Sequence, residues 1–208
     1  MIASIMDKAN YKIWLSTIGG KVVTAVAFLI GFSVVGGIIS HFNSNSVSQP
    51  SNYLTSDSSA RPYTSAQYGF SINFPGNPTA TDSNIQVQGV TVPTTSYERD
   101  NNNGNTIFQV SVDDYPSQFD MSDTKARLEG ALNGEVSNVK GATLVSSSYG
   151  TLAGYTTIIG HETFSSSGQN YDIYSTCLLK GNTLYNVLTL GATETDFNSF
   201  ASSFQFTQ

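Results

Sequence analysis

The chain has 208 residues, nine of them basic and fifteen acidic, for a formal net charge of −6. Charged residues make up 12% of it, so Ser, Thr, Asn and Gln supply most of the polarity. From residue 60 onward six basic side chains stand against thirteen acidic ones, which excludes the basic footprint of a nucleic-acid binder and tight adhesion to anionic lipid heads. Cys177 is the sole cysteine, so no intrachain disulfide can form, and no N-x-[ST] acceptor with an allowed middle residue occurs.

In chain order, Lys8, Lys12 and Lys21 precede an apolar run over residues 22–39 that holds no charge, Pro, Asn or Gln. A helix of that length rises roughly 27 Å, close to the hydrocarbon thickness of a bilayer. The run predicts a single transmembrane helix over residues 22–40. Only Asp7 opposes the three lysines, and no basic residue follows until Arg61. This bias predicts a cytoplasmic segment over 1–21 and places everything after the helix outside the cytoplasm, at a single-pass cell-membrane location. A cleaved signal peptide is the alternative, although its apolar core is usually only about 7–15 residues. Gly31, Gly36 and Gly37 would let such helices approach one another closely. Residues 41–62 are rich in Ser and Asn and read as a flexible linker with a reach of roughly 25–30 Å.

The remainder, 63–208, reads as one extracytoplasmic domain. Phe70, Ile72 and Phe74 alternate on a first strand, which Pro75-Gly76-Asn77-Pro78 ends. Ile85, Val87, Val90 and Val92 mark a second strand or pair, and 94–98 begins another. Asn101-Asn102-Asn103-Gly104 predicts a hairpin turn into a strand over 106–112. A helix follows, capped by Asp120 or Ser122, with Leu128, Ala131, Leu132 and Val136 on its core stripe. It ends over 138–141. Strands return over 142–149, 155–162, 171–179 and 182–190, with a turn after Tyr149-Gly150 and a hairpin across Lys180-Gly181. Phe197, Phe200 and Phe204 give a final helix over 194–204 an aromatic face. Alternating rather than continuously apolar strands argue for an antiparallel sheet. The expected fold class is therefore α+β: an antiparallel sheet flanked by helices, preceded by the transmembrane helix.

Several stretches resemble the PsbP/Mog1-like superfamily. They are GFSINFPGNP near residue 70, VSVDDYP ending at Pro116, GNTLYNVLTLG ending at Gly191, and FNSFASSFQF at the end; together they span residues 63–206. The resemblance implies an antiparallel sheet with helices on its two sides. It implies an accessory or protein-interaction role and carries over no catalytic residue. One branch of that superfamily supports photosystem II and another binds a small nuclear GTPase. An exported, anchored chain departs from both, so no specific partner is inherited.

Candidate sites are few. His161 is the only imidazole of the domain and lacks the companions a zinc site needs. Cys177 alternates onto the Ile173 face of its strand and reads as a buried thiol, with a Cys–His pair to His161 as the catalytic alternative. Asp113, Asp114, Asp120 and Asp123 form the densest acidic group, a candidate for weak calcium binding, although the EF-hand register is absent. Tyr97, Tyr171, Tyr174 and Tyr185 suit half-exposed strands. Tyr115, Tyr149 and Tyr155, near loops, are the candidates for a binding surface. No catalytic set and no cofactor motif emerges. The sequence thus predicts a membrane-anchored extracytoplasmic binding domain for a protein or envelope component, held to the lipid bilayer through 22–40. The alternatives are an envelope hydrolase, a pilin-like assembly subunit and a small-ligand or lipid-binding domain.

Overall fold

Alternating side chains from residue 79 onward build one large antiparallel sheet in the computed structural model, which describes residues 16–18, 21–23, 62–101, 106–166 and 168–207. Two short strands, β1 (Ser16–Ile18) and β2 (Lys21–Val23), pair with each other. The domain then runs β3 (Tyr63–Ser65), β4 (Phe70–Ile72), β5 (Thr79–Val87), β6 (Val90–Asn101), β7 (Thr106–Asp114), α1 (Thr124–Asn138), β8 (Thr143–Leu152), β9 (Tyr155–Ser166), β10 (Gln169–Lys180), β11 (Thr183–Leu190), α2 (Glu194–Ser202) and β12 (Gln205–Phe206). Seven strands form the main sheet in the order β5-β6-β7-β11-β10-β9-β8, and β12-β4-β3 form a smaller one.

Local chemistry sets the turns. Gln88-Gly89 and Ala153-Gly154 join β5 to β6 and β8 to β9 as two-residue loops with positive φ at both positions, the geometry that matches strand twist. Asp123 caps α1 by accepting from the Ala126 N–H at 3.1 Å. Thr193 and Asp196 form a reciprocal capping box that starts α2.

Both faces of the main sheet are covered. On one side lie α2 and the small sheet, packing Phe70, Phe74, Phe108, Val110, Leu178, Phe197, Phe200 and Phe204 into one cluster. On the other lies α1, with Leu128, Ala131 and Leu132 against Ile85, Val92, Ile158, Cys177 and Leu184. Helix α1 sits close because Gly160 of β9 lacks a side chain: a Cβ there would collide with Leu132.

The expected fold class needs correction. The described chain is mostly β, with two helices against long strands. The expected transmembrane helix fails at its start, where Val22 and Val23 belong to strand β2. β-Branched Thr17, Ile18, Val22 and Val23 favour the extended backbone there. Among the described residues no helix is long and apolar enough to cross a membrane. Residues 24–40, and the expected linker up to residue 61, lie outside the described residues.

Smaller corrections follow the same logic. Residues 90–101 form one strand, not two. Pro93 suggests a break, but it pairs only with Asn84 of β5, and the β7 ladder begins one residue later at Thr94. The turn expected after Gly150 falls instead at Ala153-Gly154. The final helix stops at Ser202, and residues 205–206 add a strand to β4. The Asn-Gly tip at 102–105 lies outside the described residues, although Asn101 pairs with Thr106 across it.

Candidate functional site

The sheet has two edges, and they differ. At one edge, β5 exposes Thr79, Ala80, Thr81, Asp82, Asn84 and Gln86, all but Ala80 polar, while its apolar Ile85 and Val87 are buried. At the other edge, β8 reads TLVSSSYGTL and is exposed along most of its ten residues. It carries no charge and no proline, two of the devices by which sheet edges are blocked. A bulge between Leu144 and Ser146 distorts only its beginning. Large exposed apolar side chains concentrate here: Val145 at 54%, Tyr149 at 43% and Ile159 on the neighbouring strand at 37%. Ile159 lies over Gly150, where a Cβ would come within 3.0 Å of its Cδ1.

Two shallow clefts flank the Ser146-Ser147-Ser148 stretch. One, about 250 Å³, lies on the α1 side between Glu129, Leu132, Leu144, Ser147, Tyr149 and Ile158. Tyr149 is held in its wall by a 2.7 Å bond donated to Glu129, which pushes its phenol up to about 12, and Lys125 stands 5.1 Å from its ring. The other, about 260 Å³, lies on the α2 side between Ser146, Ser148, His161, Tyr174, Glu194 and Phe197. There the His161 ring stacks on Tyr174 at 4.4 Å and Tyr174 stacks on Phe197 at 5.9 Å.

The residues singled out from sequence are scattered. Tyr149 lies on this edge. Tyr155 is half-buried against Phe206, and Tyr115 is not at the surface at all: it is buried beside Phe119, where loss of solvent pushes its phenol well up. Asp113 and Asp114 point to opposite faces of β7. Asp113 is buried, accepts from Thr94 Oγ1 at 2.7 Å, and is pushed up to about 6 by burial. Asp114 accepts from Thr183, Asp120 accepts from the Ser122 N–H, and Asp123 caps α1. Those separate duties do not bring the four carboxylates together, and among the described residues no group of three or more His, Cys, Asp or Glu could hold a metal. His161 pairs with Tyr174 and bonds Asp172 at 2.8 Å on the α2 side. Cys177 pairs with Ile158 on the α1 side and is buried, which pushes its thiol up. The two are on opposite faces of the sheet, so no Cys–His catalytic pair exists.

A second feature lies beneath α1. Glu135, Glu162, Gln109, Ser111, Ser175 and Asn186 are buried on this face of the sheet, among apolar neighbours. Val136, expected on the core stripe of the helix, is only half-buried, and Glu135 takes the inward position. It stands three residues after Leu132 and seven after Leu128, which is the helical spacing that carries it inward.

No protein-family model matches the chain, and no curated protein matches it either. The PsbP/Mog1-like resemblance therefore stands on the quoted motifs alone. Among solved structures, the chain is similar to LpqN of Mycobacterium tuberculosis, a protein involved in cell envelope biogenesis. The identity is 13% and the TM-score 0.42, over 71% of this chain and 90% of that one. It is also similar to PA94 of Pseudomonas aeruginosa, a protein of unknown function, at 11% identity and a TM-score of 0.35, over 66% and 85% of the two chains.

Proposed function

We propose that the domain is a binding module that takes up an extended segment of a partner protein along the open edge of β8. One observation carries this reading: the uncharged edge strand exposes Val145 and Tyr149, and Ile159 of the neighbouring β9 is exposed beside them. An edge strand presents unpaired N–H and C=O groups at alternate residues, which give affinity to an added strand, while side chains beside it give selectivity. The segment it suits alternates apolar and polar residues and carries basic flanks, because Glu129 and Glu194 stand at the clefts and the residues from 60 onward are net acidic. A small-molecule pocket is less well supported. Each cleft falls below the roughly 300–1,000 Å³ of typical ligand pockets, and both are open.

The test is a displayed library of random peptides panned on the purified chain. Enriched peptides should lose at least about tenfold in affinity on Val145→Lys and on Tyr149→Lys, with thermal unfolding unchanged. Backbone amides of β8 should gain protection from hydrogen exchange when peptide is bound. Peptides that bind both variants as tightly as the parent, or that protect β5 instead, would refute the assignment.

A further inference from the structure

Glu135 of α1 is 1% exposed and Glu162 of β9 is 0% exposed. Neither oxygen of Glu162 makes a hydrogen bond within the protein, and Oε1 of Glu135 makes none. Glu135 Oε2 accepts from Asn186 Nδ2 at 3.3 Å. Glu162 and Ser175 stand on adjacent strands, since Ser175 is opposite Gly160 and Ile173 opposite Glu162. Both carboxyl groups are buried where α1 packs on β9, and Glu135 raises the charging cost of Glu162 on top of the cost of burial. Three buried carboxylate oxygens thus lack a donor at one seam.

Among the described residues no cation lowers the charging cost of either carboxyl; Arg127 of α1 acts on Tyr115 and Asp120 at the other end of the helix. From α1 come Leu128, Ala131 and Leu132 besides Glu135 itself, and from β8 comes Leu144, opposite Glu162. From β10 come Ser175 and the buried thiol of Cys177, and from β11 Asn186 and Leu188. From β7 come Gln109, Ser111 and Asp113, itself a buried acid. His161 is spent on Asp172 on the opposite face.

We propose that Glu135 and Glu162 share one proton across the seam between α1 and the sheet, and that α1 stays seated only while the pair holds it. One proton answers the lack of donors. It turns one carboxyl into an O–H donor and gives the other an acceptor role, in a short charge-assisted bond. Its loss leaves two like charges buried together, a state that burial strongly disfavours. Gly160 completes the device, because its missing side chain leaves room for Leu132 and brings α1 down onto β9 two residues before Glu162. The inference is independent of any partner at β8.

The test uses the full chain. Glutamate carboxyl carbons are followed by nuclear magnetic resonance, and hydrogen exchange is measured from about pH 5 to about pH 9 with correction for intrinsic rates. One carboxyl carbon should titrate well above the ordinary glutamate range and vanish from that position in Glu162→Gln. In the parent, α1 amides should exchange at least about tenfold faster at the upper pH than at the lower, while β7 and β11 amides do not. Glu162→Gln, which is neutral and can still donate, should keep α1 protected throughout. Glu135→Gln gives the same reading from the other partner if the first variant fails to fold. All glutamates titrating in the ordinary range would overturn the proposal, as would identical pH profiles for parent and variants. A rise in unfolding temperature with calcium or magnesium, seen in the parent and absent in Glu162→Gln, would also overturn it, since the pair would then hold a cation.

Discussion

The two faces of the main sheet are covered by opposite chemistry. On the α2 side, rings meet rings: Phe74 against Phe200 at 5.0 Å, Phe108 against Phe200 at 5.3 Å, Phe70 against Phe204 at 5.4 Å. The buried Tyr97 hydroxyl there bonds Ser65 at 2.8 Å, and Thr189 Oγ1 is the one buried side-chain polar atom of this face, among the described residues, that makes no hydrogen bond. On the α1 side the sheet and the helix bury three acids and two amides between them, several of whose oxygens make no hydrogen bond within the protein. Apolar residues of similar size would fill those positions at less cost. The aromatic face therefore secures the fold, and the acidic face makes the hold on one helix conditional.

That contrast can be broken most sharply from the aromatic side. Phe200→Ala should destabilise by about 3–5 kcal/mol, because it removes the ring that joins Phe74 to Phe108, and urea unfolding measures it. The pH dependence of the remaining stability should not change, since no titrating group is touched. On the other face, Gly160→Ala should cost about 1–3 kcal/mol by driving a methyl group into Leu132. A Leu132→Ala partner should recover part of that loss, and a double-mutant cycle reads the coupling.

The acidic face also sets the sign of the pH response. Asp113, Glu135 and Glu162 are all raised by burial, so the folded state binds more protons than the unfolded state above the ordinary carboxylate range. Their contribution to stability is largest below that range and is lost as pH climbs through the elevated folded values. The urea midpoint should therefore fall between about pH 5 and about pH 8, and Asp113→Asn should flatten the part of the curve near pH 6. A midpoint that rises over this interval would contradict the burial of the three acids. The smallest effect on stability belongs to the edge: Val145→Lys should shift it by no more than about 0.5 kcal/mol while removing peptide binding.

Much of the strand pattern is legible because alternation shows wherever one face is buried. The 106–112, 155–162 and 171–179 segments fall inside observed strands, and 182–190 overruns its strand by one residue at Asn182. The first apolar run misleads because length and hydropathy do not distinguish a spanning helix from segments whose β-branched residues pair as strands, as Val22 and Val23 do. The edge site is hard to read because strand order is a long-range property: nothing local tells that β8, rather than β9 or β10, has one neighbour. Its freedom from charge gains meaning only once that order is known, because the central strand β11 is uncharged too. Glu135 was readable as an inward position from its spacing to Leu128 and Leu132. Its partner was not, because Glu162 comes from a strand that meets α1 only in the folded chain.

The strand order has a consequence for assembly. β5, β6 and β7 follow one another as neighbours, and so do β8, β9, β10 and β11, each a meander that zips through tight hairpins. One pairing, β7 with β11, stitches the two halves together, and the Thr183–Asp114 bond in it spans 69 residues of chain. Such closure is entropically costly and slow, so the halves should take shape early and meet late. Cutting the polypeptide in the stretch just before α1 would leave each meander whole, and two separately expressed pieces would have a complete zipper to find one another by.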